Sequence, residues 1–304
     1  MVDDLLAGGD VDVTVFDDWS SGRRWHLEHH RDDPRLAIVT GDLADLDAVI
    51  ATVRGHDLVY HLASNPDIAR AASEPDVDFW RGSYLTQNLL EAMRRTGVRR
   101  LLYTSGSGVY GDTGTRAVRE DHGPLSPIST YGASKLAGES LISAYCHMFG
   151  FRASVLRMAN VVGARQTHGV GYDFLRKLRR DPSRLEILGD GAQSKSYVHV
   201  TDVVRAMDSV LRSAREPFEA FNVATTDYID VRTIARLVVE TLGLHDVKLE
   251  FGGGARGWAG DVPVIRFDLT KIHARGWRAS LDSMGAMRRA IAEMLTDLTV
   301  QDPA

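Results

Sequence analysis

The sequence of 304 residues lacks most features of secreted, membrane or nucleic-acid-binding proteins. Its single cysteine, Cys146, excludes an internal disulfide and a cysteine-rich zinc module. No apolar run reaches the roughly 18 residues of a membrane span, and the first residues do not resemble a secretory signal. Lys and Arg number 36 against 41 Asp and Glu, a net charge of −5, without a cationic cluster for phosphate contacts. We therefore expect a cytoplasmic protein that binds neither nucleic acid nor membrane.

What the sequence does contain is an alternation of short apolar runs with amphipathic segments. Each run ends at small or polar residues, as strands buried on both faces of a parallel sheet do. The runs are Val11–Phe16, Leu36–Val39, Leu58–Leu62, Leu101–Thr104 and Ser154–Arg157. Helices are predicted over 44–54, 78–96 and 130–149. Strands that alternate with helices predict an α/β fold, a Rossmann-type doubly wound parallel sheet.

The alternation weakens after Asn160, and this predicts two domains. Residues 1–162 form the predicted nucleotide-binding domain, and 201–228 return to it as a helix and a strand. Residues 163–200 and 229–304 are predicted to form mainly a smaller substrate-binding cap. The last residues, from about Thr296 to Ala304, are expected to be a loose tail.

The strongest chemical signal is Tyr131-Gly-Ala-Ser-Lys135, in which the phenol and the ammonium share one helix face. A neighbouring ammonium stabilises a phenolate and lowers a tyrosine pKa that is ordinarily near 10. Such a tyrosine can exchange a proton with a sugar hydroxyl while a hydride moves to or from a nicotinamide. The pair alone is common on protein surfaces, but here it opens a helix shortly after a strand ending in Thr104-Ser105.

Further motifs occur in a fixed order along the chain and make the pattern specific. They are Gly41-Asp-Leu43, His61-Leu-Ala63, Val109-Tyr-Gly111, Arg157-Met-Ala-Asn160-Val-Val-Gly163, Gly189-Asp-Gly191 and Tyr197-Val-His-Val-Thr-Asp-Val203. With the Tyr–Lys pair, the sequence resembles the extended short-chain dehydrogenase/reductases of the NAD-dependent nucleotide-sugar epimerase/dehydratase family. The resemblance implies a Rossmann domain that holds NAD, a cap that holds the nucleotide sugar, and homodimers formed through helices.

The resemblance also implies which residues form the site. Asp17 would accept hydrogen bonds from the adenosine ribose, and its charge favours NAD over NADP. The other implied cofactor contacts are Asp18, Ser21, Gly22, Asp42, Leu43, Leu62, Ala63, Ser64, Tyr131, Lys135 and Ala159. The implied catalytic residues are Tyr131, Lys135 and a hydroxyl from Ser107 or Ser105, with Ser107 favoured. The implied substrate contacts are Asn160, His168, Lys195 and Arg256, of which the two cations would face phosphate.

Two departures from the family pattern bear on function. Relatives begin with a strand and a glycine-rich turn that holds the cofactor pyrophosphate, whereas this sequence opens at the helix that follows the turn. Either the natural start lies upstream, which we favour, or the chain is a relative that has lost cofactor binding. In addition, dehydratases carry carboxylates at the positions of Ser107 and Gly108, so their absence here disfavours sugar dehydration.

These observations predict an NAD-dependent epimerase of nucleotide sugars, similar to UDP-glucose 4-epimerase, that works through a 4-keto intermediate. A ketoreductase or dehydrogenase of the same fold is the first alternative, and a non-catalytic relative is the second. His26, His29 and His30 have spacing that could hold a metal, but no acidic motif follows them. We therefore interpret them as a solvated helix face and expect no metal.

Overall fold

The computed structural model describes residues 1–258 and 260–301. The helices are α1 (Val2–Ala7), α2 (Leu46–Val53), α3 (Leu85–Thr96), α4 (Thr130–Phe149), α5 (Val170–Arg180), α6 (Val200–Ser213), α7 (Val231–Thr241), α8 (Thr270–Ala274) and α9 (Ser283–Gln301). The first strands are β1 (Val13–Asp17), β2 (Leu36–Thr40), β3 (Val59–His61), β4 (Arg100–Gly106), β5 (Ala117–Val118), β6 (Arg152–Met158) and β7 (Asn160–Val162). The remaining strands are β8 (Arg184–Ile187), β9 (Ser194–Lys195), β10 (Tyr197–His199), β11 (Phe218–Val223), β12 (Ile229–Asp230), β13 (Lys248–Phe251) and β14 (Arg266–Phe267).

The centre of the fold is a parallel sheet with the strand order β11-β6-β4-β3. Its middle strands, β4 and β6, are buried along most of their length because helices cover both faces. Helices α2, α3 and α4 pack against one face, and α6 and α8 pack against the other. The sequence prediction of a doubly wound α/β fold is therefore confirmed.

Strands β1 and β2 form a separate parallel pair. Within the part of the chain that the structure describes, no strand joins this pair to the edge strand β3. The β1–β2 pair is correspondingly poorly covered: every residue of β1 is only partly buried, and Ile38 and Val39 of β2 are 40% and 37% exposed. The sheet is thus divided between β1 and β3.

A second apolar core lies in the C-terminal half, where α5, α7 and α9 pack around the parallel pair β8–β13. The apolar residues of α9 recur at helical spacing and face this core, among them Met287, Ile291, Met294 and Leu298. The prediction of a loose tail from Thr296 is therefore wrong up to Gln301, because α9 continues to this residue and buries Leu298 in the second core. Residues 302–304 lie outside the described part.

The helices in the described ranges include none with the length and apolarity needed to cross a membrane.

Candidate active site

Helix α4 begins at the candidate site, where four side chains hold its first turn. Ser129 caps the helix by accepting a hydrogen bond from the amide of Gly132 at 3.1 Å. Thr130 donates its hydroxyl to Asp78 at 2.7 Å, and Asn65 donates its side-chain amide to the other oxygen of Asp78 at 2.9 Å. Asp78 is 1% exposed, so this anchor is internal to the fold. Tyr131 therefore starts from a well-defined position.

A close backbone approach brings the Ser107 turn onto the same helix. The turn Ser107–Tyr110 is a short 3₁₀ segment that follows β4 directly. A Cβ added to Gly132 would lie 2.5 Å from the carbonyl oxygen of Gly108, so only glycine allows α4 to pack this closely. Glycine at both positions places Ser107 and Tyr131 at the wall of one cavity.

Lys135 lies one turn below Tyr131, with its Nζ 5.6 Å from the centre of the Tyr131 ring. The ammonium donates to the carbonyl of Thr104 at 2.8 Å, and Lys135 is 4% exposed. Burial lowers the pKa of Lys135 to about 8, although the negative charges of Glu139 and Asp78 oppose this shift.

The pKa of Tyr131 differs in direction from the sequence prediction. Burial raises the pKa of the phenol, because desolvation penalises the phenolate more than the hydrogen bond with Ser64 stabilises it. The ammonium of Lys135 donates to a backbone carbonyl, so its contact with Tyr131 is through the ring. The prediction that Lys135 lowers this pKa is therefore wrong for the protein without bound ligands.

The two candidate serines differ in what their hydroxyls contact. Ser105, which is 2% exposed, donates its hydroxyl to Glu139 at 2.5 Å. Ser107 is half-buried and lines the cavity next to Tyr131. Both serines line the cavity, but the hydroxyl of Ser105 is committed to Glu139, which favours Ser107 as the serine that meets a ligand.

The cavity has a volume of about 880 Å³ and brings together most of the predicted substrate residues. Asn160, His168 and Lys195 line it, together with Ala159. Other residues of its wall come from α5 and from the segment around Trp258. A volume in this range accommodates a ligand larger than a monosaccharide.

Both predicted phosphate cations already have acidic partners. Lys195 donates to Asp261 at 2.6 Å, and the side chain of Asp261 is 6% exposed. Arg256 donates to Asp112 at 2.9 Å and to the backbone carbonyl of Asp261 at 3.0 Å. A phosphate in the cavity would therefore compete with Asp261 for Lys195. These two ion pairs could not be predicted from the sequence, because Lys195 and Asp261, and likewise Arg256 and Asp112, are far apart in the chain.

The predicted adenosine-side residues collect where β1 and β2 end. Asp17 accepts from the amide of Trp19 at 2.7 Å, and the chain turns back so closely that a Cβ on Gly22 would lie 3.0 Å from this carboxylate. Arg81 donates to Asp18 at 3.0 Å and lies 3.8 Å from Asp42. The sequence analysis did not identify Arg81, whose guanidinium lies near the carboxylates of both Asp18 and Asp42.

The other predicted cofactor residues lie around this cluster and beyond β3. Ser21 is exposed, and Leu43 packs partly against the core beneath α2 and α3. Leu62 is 45% exposed and Ala63 is also exposed, directly after β3. Ser64 hydrogen-bonds Tyr131 and so connects this segment with the cavity.

The histidines of the segment 24–30 do not form the solvated α-helical face that the sequence suggested. The segment is a 3₁₀ helix, and the Nε2 atoms of His29 and His30 both lie 2.9 Å from one oxygen of Asp3. Arg165 binds the other oxygen of Asp3. The three possible ligand atoms thus meet, but next to a guanidinium that already neutralises the carboxylate. We interpret the cluster as the anchor of α1.

Comparison with known proteins identifies the relatives of this fold and site. The family model described as NAD dependent epimerase/dehydratase matches residues 1–224. UDP-glucose 4-epimerase of Mycolicibacterium smegmatis is 32% identical over 288 residues, which are 91% of this chain and 88% of that protein.

Two solved structures resemble the chain over nearly its whole length. The crystal structure of a UDP-galactose 4-epimerase has a TM-score of 0.85 at 36% identity and covers 98% of this chain and 94% of its own. DesIV, a dTDP-glucose 4,6-dehydratase from Streptomyces venezuelae with NAD and TYD bound, has a TM-score of 0.91 at 25% identity, with 99% and 94% covered. The resemblance drawn from the motifs is confirmed, and the chain belongs to the NAD-dependent epimerase/dehydratase family.

Proposed function

We propose that this chain is an NAD-dependent epimerase that inverts C4 of a UDP-hexose through a 4-keto intermediate. The observation that carries the proposal is the meeting of Tyr131 and Ser107 at one wall of the 880 Å³ cavity, with Lys135 directly below. The relatives named UDP-glucose 4-epimerase and UDP-galactose 4-epimerase support the same activity.

The residues at two ends of the cofactor region fit NAD. Asp17, at the end of β1, is a carboxylate that ribose hydroxyls can donate to, and Asp42 follows the neighbouring strand. In this proposal Lys135 and Tyr131 contact the nicotinamide ribose. At the gap in the sheet between β1 and β3, the part of the chain that the structure describes has no glycine-rich turn. We therefore assign the pyrophosphate of the cofactor to no residue of the chain. When bound, NAD supplies a reversible hydride acceptor.

Tyr131 is the proposed proton carrier. It accepts the proton of the sugar 4-hydroxyl when the alcohol becomes a ketone, and it returns this proton when the alcohol is re-formed. In the protein without bound ligands burial raises the pKa of Tyr131, so in this proposal the ammonium of Lys135, 5.6 Å from the ring centre, stabilises the phenolate only once substrate and NAD occupy the site. Ser107 donates a hydrogen bond to the same sugar oxygen and holds it in place.

Several residues have proposed binding roles. Asn160 and His168 contact the nucleotide-sugar diphosphate and the sugar, and Lys195 and Arg256 turn from their acidic partners to phosphate when substrate binds. Ser105 supports the site through Glu139. We assign residues 1–162 and 201–228 to the cofactor domain, and 163–200 and 229–304 mainly to the cap.

The residues at positions 107 and 108 favour epimerisation over dehydration. Elimination across the sugar needs proton carriers next to the reacting carbons, and serine and glycine occupy positions 107 and 108. The carboxylate closest behind this turn, Glu139, is fully engaged by Ser105 and Arg157. The site therefore favours a reaction that ends with the keto group reduced.

We further propose a cytoplasmic homodimer. The free, buried Cys146 suits a reducing compartment. Phe79 and Trp80 are 52% and 51% exposed just before α3, and Met148 is 71% exposed at the end of the adjacent helix α4. Exposed apolar side chains at both ends of this pair of helical segments suit a helical interface with a second copy. Sedimentation velocity would give the mass of a dimer, and Trp80→Glu should give a monomer.

To test the function, the protein is incubated with UDP-galactose, with and without added NAD, and the UDP-sugars are then separated. UDP-glucose formed without net NADH supports the epimerase. Net NADH with an oxidised product supports the dehydrogenase alternative instead. If neither forms, identifying the nucleotide released on denaturation distinguishes a chain that holds NAD but uses another sugar from one that binds no cofactor.

A further inference from the structure

A carboxylate that the proposed reaction does not use lies beneath the candidate site. Glu139 follows Lys135 by one helical turn on α4, so the two side chains are neighbours on one face. Glu139 is 3% exposed, which is rare for a carboxylate unless its oxygens are satisfied. Ser105 donates to it at 2.5 Å, and Arg157 donates to both of its oxygens, at 2.7 Å to the nearer.

The pair of Glu139 and Arg157 is the inner end of a buried hydrogen-bond chain. Arg157, on β6, also donates to the hydroxyl of Tyr110 at 3.1 Å, and Tyr110 donates to Asn222 on β11 at 2.7 Å. Asn222 in turn donates to the carbonyl of Val118 at 2.9 Å. The carboxylate is therefore held by β4, β6 and β11 together, and its ionised form is fixed by a guanidinium.

The charged and titratable groups around Lys135 show what this carboxylate does. His61 on β3 is buried and neutral, since burial lowers its pKa to about 3, so it places no second positive charge beside the ammonium. Tyr103 on β4 and Tyr131 on α4 both have raised pKa values and remain phenols. The remaining charges are those of Asp78, which also holds the start of α4, and Glu139.

We propose that Glu139 is a positioning residue of the site: it supplies the fixed negative charge that keeps the buried ammonium of Lys135 protonated, and it ties Ser105 and α4 to the sheet. Its part in catalysis rests on the proposed function, whereas its effect on Lys135 does not. A buried ammonium loses its proton easily unless a negative charge compensates for lost hydration. Burial lowers the pKa of Lys135 to about 8 even though the negative charges of Glu139 and Asp78 oppose this shift.

The direct test is titration of Lys135 by NMR with ¹³Cε-labelled lysine, which is practical because the sequence has five lysines. In Glu139→Gln the proton affinity of Lys135 should fall by about tenfold or more, which is one pH unit in its midpoint. Glu219→Gln is the matched control. Glu219 is 5% exposed and is bound by Arg275 at 2.6 Å and Lys271 at 3.4 Å, and its loss should leave Lys135 unchanged.

Glu139→Gln alone leaves the buried guanidinium of Arg157 without its carboxylate partner, which destabilises the fold. A second variant that lacks both charges is therefore titrated as well. Glu139→Gln with Arg157→Gln removes both charges and should also lower the midpoint of Lys135, but by less than the single variant, because Lys135 loses a repelling guanidinium together with the carboxylate. A Lys135 titration equal to that of the unaltered protein in either folded variant would overturn the proposal.

Kinetics supply the second readout. If the epimerase assignment holds, Glu139→Gln should move the alkaline limb of the kcat profile to lower pH, because Lys135 loses its proton earlier. KM for the UDP-sugar should change little, since Glu139 does not touch the cavity ligand. If the protein shows no epimerase activity, the kinetic test cannot be made, but the NMR titration still decides whether Glu139 keeps Lys135 protonated.

Discussion

At the scale of single residues, the account depends most on Tyr131, which lines the cavity together with Ser107. Tyr131→Phe removes the hydroxyl and keeps the ring, so the cavity shape and Lys135 should be retained. We expect the epimerisation rate to fall by more than about 10²-fold while binding of the UDP-sugar changes little. Steady-state kinetics and calorimetry of binding measure the two effects. Turnover near that of the unaltered enzyme would disprove the assigned role.

His61 gives a second residue-scale prediction, which concerns stability. It is 3% exposed, bonds Thr86 at 2.9 Å, and has a pKa lowered to about 3 by burial and by Lys135. The unfolded chain therefore takes up a proton near pH 6.5 that the folded chain refuses, so stability falls as pH drops from about 6.5 toward 3. This one group should remove about 1.4 kcal/mol per pH unit within that window.

The check compares urea unfolding of the unaltered protein and His61→Gln between pH 7 and 4.5. The variant should show the shallower pH dependence, whatever its stability at pH 7. His245→Gln, which removes an exposed histidine, serves as the control. Parallel pH profiles for His61→Gln and the unaltered protein would contradict the assignment.

At the scale of elements, the contact between α4 and the Ser107 turn decides where Tyr131 lies. Gly132→Ala places a Cβ 2.5 Å from the backbone carbonyl of Gly108, which no rotamer can relieve. Alanine is otherwise favoured over glycine in helices by about 1 kcal/mol. We nevertheless expect Gly132→Ala to lower the free energy of unfolding by about 1–3 kcal/mol and to reduce turnover.

Gly252→Ala is the control for this substitution, because the nearest atom would lie at an ordinary contact distance of 3.6 Å. Chemical denaturation of both variants measures the difference. A Gly132→Ala protein as stable and active as Gly252→Ala would show that the close approach does not hold the helix.

The elements also show what could be predicted from sequence and what could not. The predicted helix 130–149 and the buried run at Leu101 are found as α4 and β4, because their apolar spacing is local information. The hydrogen bond of Thr130 to Asp78 and the ion pair of Lys195 with Asp261 join segments that are distant in the chain. The hydrophobic periodicity of the sequence cannot predict such contacts. The raised pKa of Tyr131 was missed for the same reason, since it depends on burial by the whole fold.

One missed element-scale signal was present in the sequence. Glu139 continues the spacing of Tyr131 and Lys135 by a further four residues, so a single helix face carries all three. A charged residue on the face that packs against a sheet indicates a buried partner. Reading the face beyond the Tyr–Lys pair would have identified Glu139 as a site residue, although not Arg157 as its partner.

At the scale of the whole molecule, the division of the sheet between β1 and β3 predicts uneven stability. Strands β4 and β6 are buried by helices on both faces, whereas the β1–β2 pair is half-exposed. Backbone amides of β1 and β2 should therefore exchange through a lower-energy opening than those of β4 and β6. Hydrogen exchange followed by mass spectrometry measures this. Equal protection of the two parts would mean that the sheet opens as one unit.

The central claim is that the hydrogen removed from C4 returns to the same carbon within one site. The most direct test supplies UDP-galactose deuterated at C4 and examines the UDP-glucose formed by NMR. The account predicts conversion with deuterium retained at C4, no net NADH, and loss of conversion in Tyr131→Phe. Product that has lost the label, or no conversion of UDP-galactose by protein shown to hold NAD, would contradict it.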